Sequence, residues 1–423
     1  MNSHALSERL LRDELDALGA RLDRLRPFKL LIPMTVAAQP SKAVLERIDH
    51  YMLEQKRSLA SKLDAIKTEF ALSPMSVDQQ HRECVRLKLL FNQVLEQFDI
   101  FADGLTQRTE QTHDLWLSGL DVAANDALWY PDKRPRAVLM TYLDRGLGAA
   151  IRRARTRLPG GGENPVAMVR IPRERMVGIG IAGSLFHEVG HQASHDLGLL
   201  SRSEQLLKSR MAHSTNLNTW LQWRSEILSD VWALSRLGVA ATLGLMSVLS
   251  LPNSMVYRPH GNQPHPIPWI RMMLSFEVGE QLFPDPQWQA LRSSWLLRYP
   301  LRQSNDQTFY RTLLADMPQF VQTILMLSTA RQEPPLIEHS SYRARTPHQL
   351  RGWIKRQSDL VDALFKLSPT KALSVIGQAR SDGVINSETE TLWVHRLLQH
   401  WALNGNPAQV VRNTRRTQQG ELL

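Results

Sequence analysis

Residues 177–198 read VGIGIAGSLFHEVGHQASHDLG, and the five at the centre, His187-Glu188-Val189-Gly190-His191, decide how the rest of the chain is read. The run is largely apolar and closes at Gly198, as a single buried helix would. On such a helix His187 and His191 share a face, one turn apart. Two imidazoles at that spacing can grip one zinc ion. Glu188 lies about 100° round the helix from His187, close enough to take a proton from water acidified by the metal without being a ligand itself. Gly178, Gly180 and Gly183 also satisfy the G-x-G-x-x-G spacing. They run straight into the histidine pair, however, and no convincing nucleotide-binding strand unit carries them.

Two histidines leave a catalytic zinc one protein ligand short. A third histidine six residues on is not there, because that position is Leu197, and the glycine expected at 194 is Ser194. His195 continues the row on the same helix. Three ligands in one straight row cannot converge on a tetrahedral ion, and an imidazole near a helix end is well placed for the helix dipole. The better candidate is Glu226, in the segment 223–233, WRSEILSDVWA. Glu226 and Asp230 are one turn apart among Trp223, Ile227, Leu228, Val231 and Trp232. Two acids on a buried helix face are unfavourable unless paired or metal-bound. Glu226 is therefore expected as the third ligand, and Asp230 as the acceptor of a histidine N–H.

These motifs carry a resemblance. HEVGH followed by EILSDVWA resembles the gluzincin pattern of HExxH followed by ExxxD. His265-Pro266-Ile267-Pro268-Trp269-Ile270-Arg271 is similar to the His-Pro-x-x-x-x-Arg signature of the CAAX prenyl protease and heat-shock membrane protease family. The resemblance covers 177–271, under a quarter of the chain. It implies a zincin-like core and Zn2+ held by His187, His191 and Glu226, with Glu188 as general base of a metallopeptidase acting on a protein or peptide. It also implies that His265 donates to the developing oxyanion and that Arg271 anchors the loop to a carboxylate. Tyr257 and His260 compete with His265 for the oxyanion role. The chain departs from that family in having no membrane-spanning run and no secretion signal.

Outward from the motifs, the chain reads as mainly helical. Leu11, Leu15, Leu18, Leu22 and Leu25 line one face of a first helix that Pro27 ends. A second helix follows Pro40-Ser41, with Val44, Ile48, Met52, Leu59, Leu63 and Ile66 on one side. A third starts near Asp78, with Val85, Leu89, Val94 and Phe98. The run 144–157 is expected as a helix with a basic surface, and Pro159-Gly160-Gly161-Gly162 as a loop. The run 165–171, PVAMVRI, reads as a strand, where many zinc peptidases lay a substrate backbone by strand addition. Ser201-x-x-Glu204 and Ser387-x-x-Glu390 read as capping boxes. The runs 217–237 and 239–251 read as helices, and 252–268 as a Pro-rich loop. The expected fold is mainly α (α+β), a zincin-like core with a small sheet between N- and C-terminal helical regions, divided at 1–125, 126–300 and 301–423.

Composition sets outer bounds. Of 423 residues, 43% are apolar and 22% charged, which suits a globular protein with a sizeable core and argues against disorder. The single cysteine, Cys84, excludes an internal disulfide and a cysteine-built zinc site. No apolar run is long enough to span a bilayer, and the first residues lack a signal-peptide pattern, so a cytoplasmic location is expected. The net charge of +10 favours anionic partners. Its clusters, Arg152, Arg153, Arg155 and Arg157 in one and Arg412, Arg415 and Arg416 in another, read as solvated surface. Nucleic acid is a possible partner, but no helix-turn-helix or finger motif supports it. A partner-binding module whose helical arms dock a protein is the alternative to an enzyme, and the retained Glu188 argues against it.

Overall fold

The computed structural model describes residues 3–110, 114–130, 137–146, 148–258, 263–301, 307–327 and 345–405. His260 and the cluster of Arg412, Arg415 and Arg416 lie outside them. The architecture is mainly helical, with one small sheet and with helical regions at both ends of the chain. Among the described residues no helix is long and apolar enough to cross a membrane. Contacts divide the chain into two compact units, Met1–Asp114 with Arg152–Met168, and Leu115–Ile151 with Val169–Leu423. Residues on both sides of 125 and of 300 belong to the second unit.

The first unit is built on α1 (Ser3–Arg24), the short α2 (Phe28–Leu31), α3 (Lys42–Leu72) and α4 (Val77–Thr106). Leu11, Leu15, Leu18 and Leu22 are buried, as their spacing requires, and Pro27 precedes α2. The Ser41 hydroxyl caps α3 by accepting the Val44 N–H. Ser76 and Gln79 form a full capping box on α4. The face of α4 differs from the expected one. Val85 and Leu89 are exposed, and the buried stripe runs through Cys84, Leu87, Phe91, Val94 and Phe98. Those steps of three and four keep one continuous seam, which a stripe through 85 and 89 does not. Gln97 of this seam donates to the carbonyls of Pro159 and Gly161, fixing the glycine loop, whose three glycines all have positive φ.

The second unit begins within α5 (Asp114–Ala127), at Leu115, and holds the site. Strands β1 (Leu139–Asp144), β2 (Ala150–Arg152) and β3 (Ala167–Pro172) form a sheet in the order β1-β3-β2. The helix expected over 144–157 is therefore absent. Gly146 at φ 143° and Gly148 interrupt any helical run, and Arg155 adopts φ 62°. Next come α6 (Gly180–Asp196), α7 (Leu199–Arg210), α8 (Leu217–Leu237), α9 (Val239–Leu249), α10 (Asn253–Val256), α11 (Pro268–Leu282), α12 (Gln287–Arg298) and α13 (Gln307–Leu325). The chain of described elements closes with α14 (Pro347–Lys355), α15 (Leu360–Phe365), α16 (Pro369–Ser381) and α17 (Ser387–Asn404).

Two expected capping boxes are not formed. Helix α7 already starts at Leu199, after Gly198 at φ 64°, so Ser201 lies inside it and Glu204 pairs with Lys208 and Arg224 instead. Helix α17 is capped by Asn386, whose side chain accepts the Thr389 N–H. In both cases a residue earlier in the chain than the serine takes over the start, Gly198 by a left-handed turn and Asn386 by a side-chain cap.

The site rests on the crossing of α6 and α8. A methyl group on Gly190 would stand 2.8 Å from the Ser229 Cα and 2.9 Å from its carbonyl oxygen. Only hydrogen fits there, so the two backbones approach closely, and the residues flanking Gly190 on α6 face those flanking Ser229 on α8. Helices α8 and α9 are in turn backed by α16, where a methyl on Gly377 would meet Ala240 at 2.2 Å. The buried Ser374 hydroxyl donates to the Arg236 carbonyl.

Gly190→Ala should lower stability by about 1–3 kcal/mol, since overpacking outweighs the roughly 1 kcal/mol that alanine gains over glycine in a helix. Denaturant unfolding would check it; an unchanged midpoint would contradict the close crossing.

Candidate metal centre

Helix α6 places His187 and His191 one turn apart, their rings 4.9 Å centre to centre and nearly perpendicular. Facing them from α8, the buried Glu226 carboxylate receives one imidazole on each oxygen. His187 Nε2 is 3.3 Å from Oε2, and His191 Nε2 is 3.4 Å from Oε1. Among the described residues, His187, His191 and Glu226 form a group that could hold a metal ion, with ligand atoms within 4.8 Å of one another.

The other nitrogen of His187 decides its tautomer. Nδ1 is 2.8 Å from Asp230 Oδ1. An ionised carboxylate only accepts, so Nδ1 carries the proton and a neutral His187 turns its Nε2 lone pair toward Glu226. Arg271, from α11, closes the arrangement with Nε 2.6 Å from Asp230 Oδ2 and Nη2 2.8 Å from Oδ1. This two-pronged contact is the strong form of an arginine–carboxylate pair. Asp230 thus orients a histidine ligand from behind and is itself held from a third helix.

The donor set fits a metal. Glu226 Oε2 is buried and makes no hydrogen bond, although such groups are nearly always paired. Lone pairs of oxygen and nitrogen facing each other at 3.3–3.4 Å repel unless a proton or a cation lies between them. Glu188, Glu226 and Asp230 bring three carboxylates together in a largely buried space, a charge that a divalent cation would help to offset. Two imidazoles and a carboxylate are a donor set that zinc accepts, with a fourth position left open.

Without a metal, a proton takes the role. Burial works against a charge on His187, but Asp230 outweighs it and pushes the imidazole up to about 9. Burial raises Glu226 as well, yet the protonated His187 beside it holds it down at about 2. Burial likewise opposes the Asp230 charge, and Arg271 and His187 overcome it, holding that carboxyl far below the usual range. Burial raises Glu188, so this carboxylate is more basic than an exposed one. Burial lowers His265.

The structure brings the remaining motif residues to the same place. His265 is half exposed, with Nε2 3.3 Å from Glu226 Oε2. A cavity of about 180 Å³ is lined by His187, Glu188, Asp230, His265 and Arg271 together. Tyr257 is not among them. Its hydroxyl donates to the Pro300 carbonyl. His195 stands apart from the metal group, beside Asp196 at 3.5 Å. Strand β3 has β1 and β2 on its two sides and offers no free edge, so strand addition to 165–171 is ruled out. Gly148 and Ala149, which lead into the edge strand β2, line the cavity instead. So do Arg175, Ser275 and one face of α9, none of which any motif marked. No known protein family, curated protein or solved structure matches this chain.

Metal binding must displace the His187 proton, so apparent affinity should rise about tenfold per pH unit from roughly pH 7 and level off near the His187 value of about 9. Competition titrations at several pH values would measure the slope; a flat profile would contradict the proton's place. In the same assay Asp230→Asn should weaken binding by about 10–100-fold, because the acceptor facing His187 loses its charge.

Proposed function

We propose that this chain is a zinc-dependent metallopeptidase of the gluzincin type, related in its motifs to the CAAX prenyl protease and heat-shock membrane protease family. The observation that supports it most is the Glu226 carboxylate, buried, without a hydrogen bond on Oε2, and met by both motif histidines, while Glu188 lines the adjoining cavity. A structural zinc site has no need of an open cavity or of an extra buried carboxylate beside its ligands.

In this reading His187, His191 and Glu226 hold the ion. When bound, zinc polarises the substrate carbonyl and makes water a stronger acid. Glu188, made more basic by burial, takes a proton from the attacking water and hands it to the leaving amine. His265, at the rim beside Glu226, donates a hydrogen bond to the oxyanion as it forms. Asp230 keeps His187 in the ligating tautomer, and Arg271 keeps Asp230 charged. The substrate backbone lies along Gly148, Ala149 and the edge of β2. The substrate is a protein or peptide.

Glu188→Gln should reduce hydrolysis of an unfolded protein substrate by about 10²–10⁴-fold while metal content stays at the wild-type level. Equal turnover by variant and wild type, or no cleavage by zinc-loaded wild type, would overturn this function.

A further inference from the structure

A second cavity, of about 430 Å³, opens at the start of α6. Of its lining residues only Gly244 also lines the metal cavity, and none takes part in the proposed hydrolysis. Its volume falls in the range of small-molecule sites, about 300–1,000 Å³.

Helix α6 begins there without a side-chain cap. The Ala182 and Gly183 N–H groups reach the Ile179 carbonyl, and among the described residues those of Gly180 and Ile181 have no backbone acceptor. Such open donors at a helix start favour an anion. Arg380, at the end of α16, adds a guanidinium to the same lining.

The opposite charge is present as well. Glu390, on α17, lines the cavity with its side chain only 9% exposed. Its carboxylate accepts the Ile179 N–H, and its Oε2 is 3.7 Å from Arg380 Nε, while Oε1 makes no hydrogen bond. Burial raises this carboxyl, and the Ile179 N–H and Arg380 offset only part of that. A methyl on Gly178, which has φ 62°, would stand 2.8 Å from Glu390 Oε2, so only glycine lets the carboxylate come up against this turn. A buried carboxyl oxygen is nearly always met by a donor. One left open beside a cavity calls for a donor from the occupant.

A simple anion would suit the helix start and Arg380 but face Glu390. A simple amine would suit Glu390 but face the other two. A molecule with both charges on one carbon answers both, because the two places adjoin: Ile179, whose N–H meets Glu390, directly precedes Gly180. The rest of the lining includes Val177, Ile179, Leu243 and Leu291. Val177 is 62% exposed, an apolar surface that an occupant would cover. We infer that this cavity binds a free α-amino acid with an apolar side chain, its carboxylate on the start of α6 and Arg380, its ammonium on Glu390, and its side chain against Val177, Leu243 and Leu291. The inference does not depend on hydrolysis at the metal group.

The test titrates L-leucine and L-phenylalanine into the full-length, methyl-labelled protein. Both should shift the methyl signals of Val177, Ile179, Leu243 and Leu291 and spare Leu245 and Val248, which line the metal cavity. N-acetyl-leucine, which lacks the ammonium, and leucinamide, which lacks the carboxylate, should each bind about tenfold or more weakly than leucine. Arg380→Ala and Glu390→Gln should each weaken leucine binding by a similar factor, with denaturant midpoints recorded beside them. Val177→Asp, at an exposed position, should weaken it without affecting folding. No shift from either amino acid, or shifts confined to Leu245 and Val248, overturn the site. Equal binding of leucine and either derivative overturns the paired charges. Leucine binding left unchanged by Val177→Asp, or by a charge variant that keeps its fold, overturns the placement.

Discussion

The carboxylate of Asp230 is the constraint on which the site depends. It is held on α8 and contacts His187 on α6 at 2.8 Å and Arg271 on α11 at 2.6 and 2.8 Å, so one side chain ties three helices together. A buried carboxylate is tolerable only when its lone pairs are met by donors of the right charge. Here both oxygens are occupied. The direction of the His187 ring, the tautomer it adopts and the place where Glu226 meets it all follow from that satisfaction. Removing one partner would leave a charge in the interior, so the three helices hold their mutual positions more firmly than apolar packing alone would require.

Packing and electrostatics reach this arrangement from opposite sides. The hydrogen-only contact at Gly190 brings the α6 and α8 backbones together at Ser229, beside His187 and His191 on one helix and Glu226 and Asp230 on the other. The neighbours of Glu226 on α8 are buried with it, Ile227 at 2% and Leu228 at 4% exposure. A helix pair that packs this closely around facing acids and bases is stable only with a cation or a proton in the gap. The unpaired oxygen of Glu226 is a polar defect in an otherwise well-packed crossing, of the kind that functional sites retain.

Much of this was legible from residue spacing. The four-residue steps of His187 to His191 and of Glu226 to Asp230 each name one helix face, and helix periodicity carries that information without a structure. The boundaries of α8 could be read for the same reason, from an apolar pattern ending at a glycine. What stayed hidden depends on non-local geometry. β2 is three residues long in an Arg-rich run that also suits a helix, and only Gly146 and Gly148 hint otherwise. Helix α9 is apolar all round, so its periodicity does not say that the face of Leu245 and Val248 lines a cavity. The outward turn of Val85 and Leu89 on α4 was lost because two nearly equal stripes compete, and only packing chooses between them. The capping boxes at Ser201 and Ser387 failed because local pattern does not show that a neighbouring residue caps better.

The spacing of these helices along the chain bears on the order in which the second unit acquires its structure. His187 and Asp230 are 43 residues apart, and Asp230 and Arg271 are 41 apart. The contacts that bring the C-terminal helices onto this core span far more, 138 residues from Arg236 to Ser374 and 244 from Asp126 to Thr370. Loop-closure entropy grows with the logarithm of the span, and contacts of short separation form faster. The helices that carry His187, Asp230 and Arg271 therefore meet across shorter loops than those that bring in the C-terminal helices. The contacts that carry the C-terminal helices onto this core must close much longer loops.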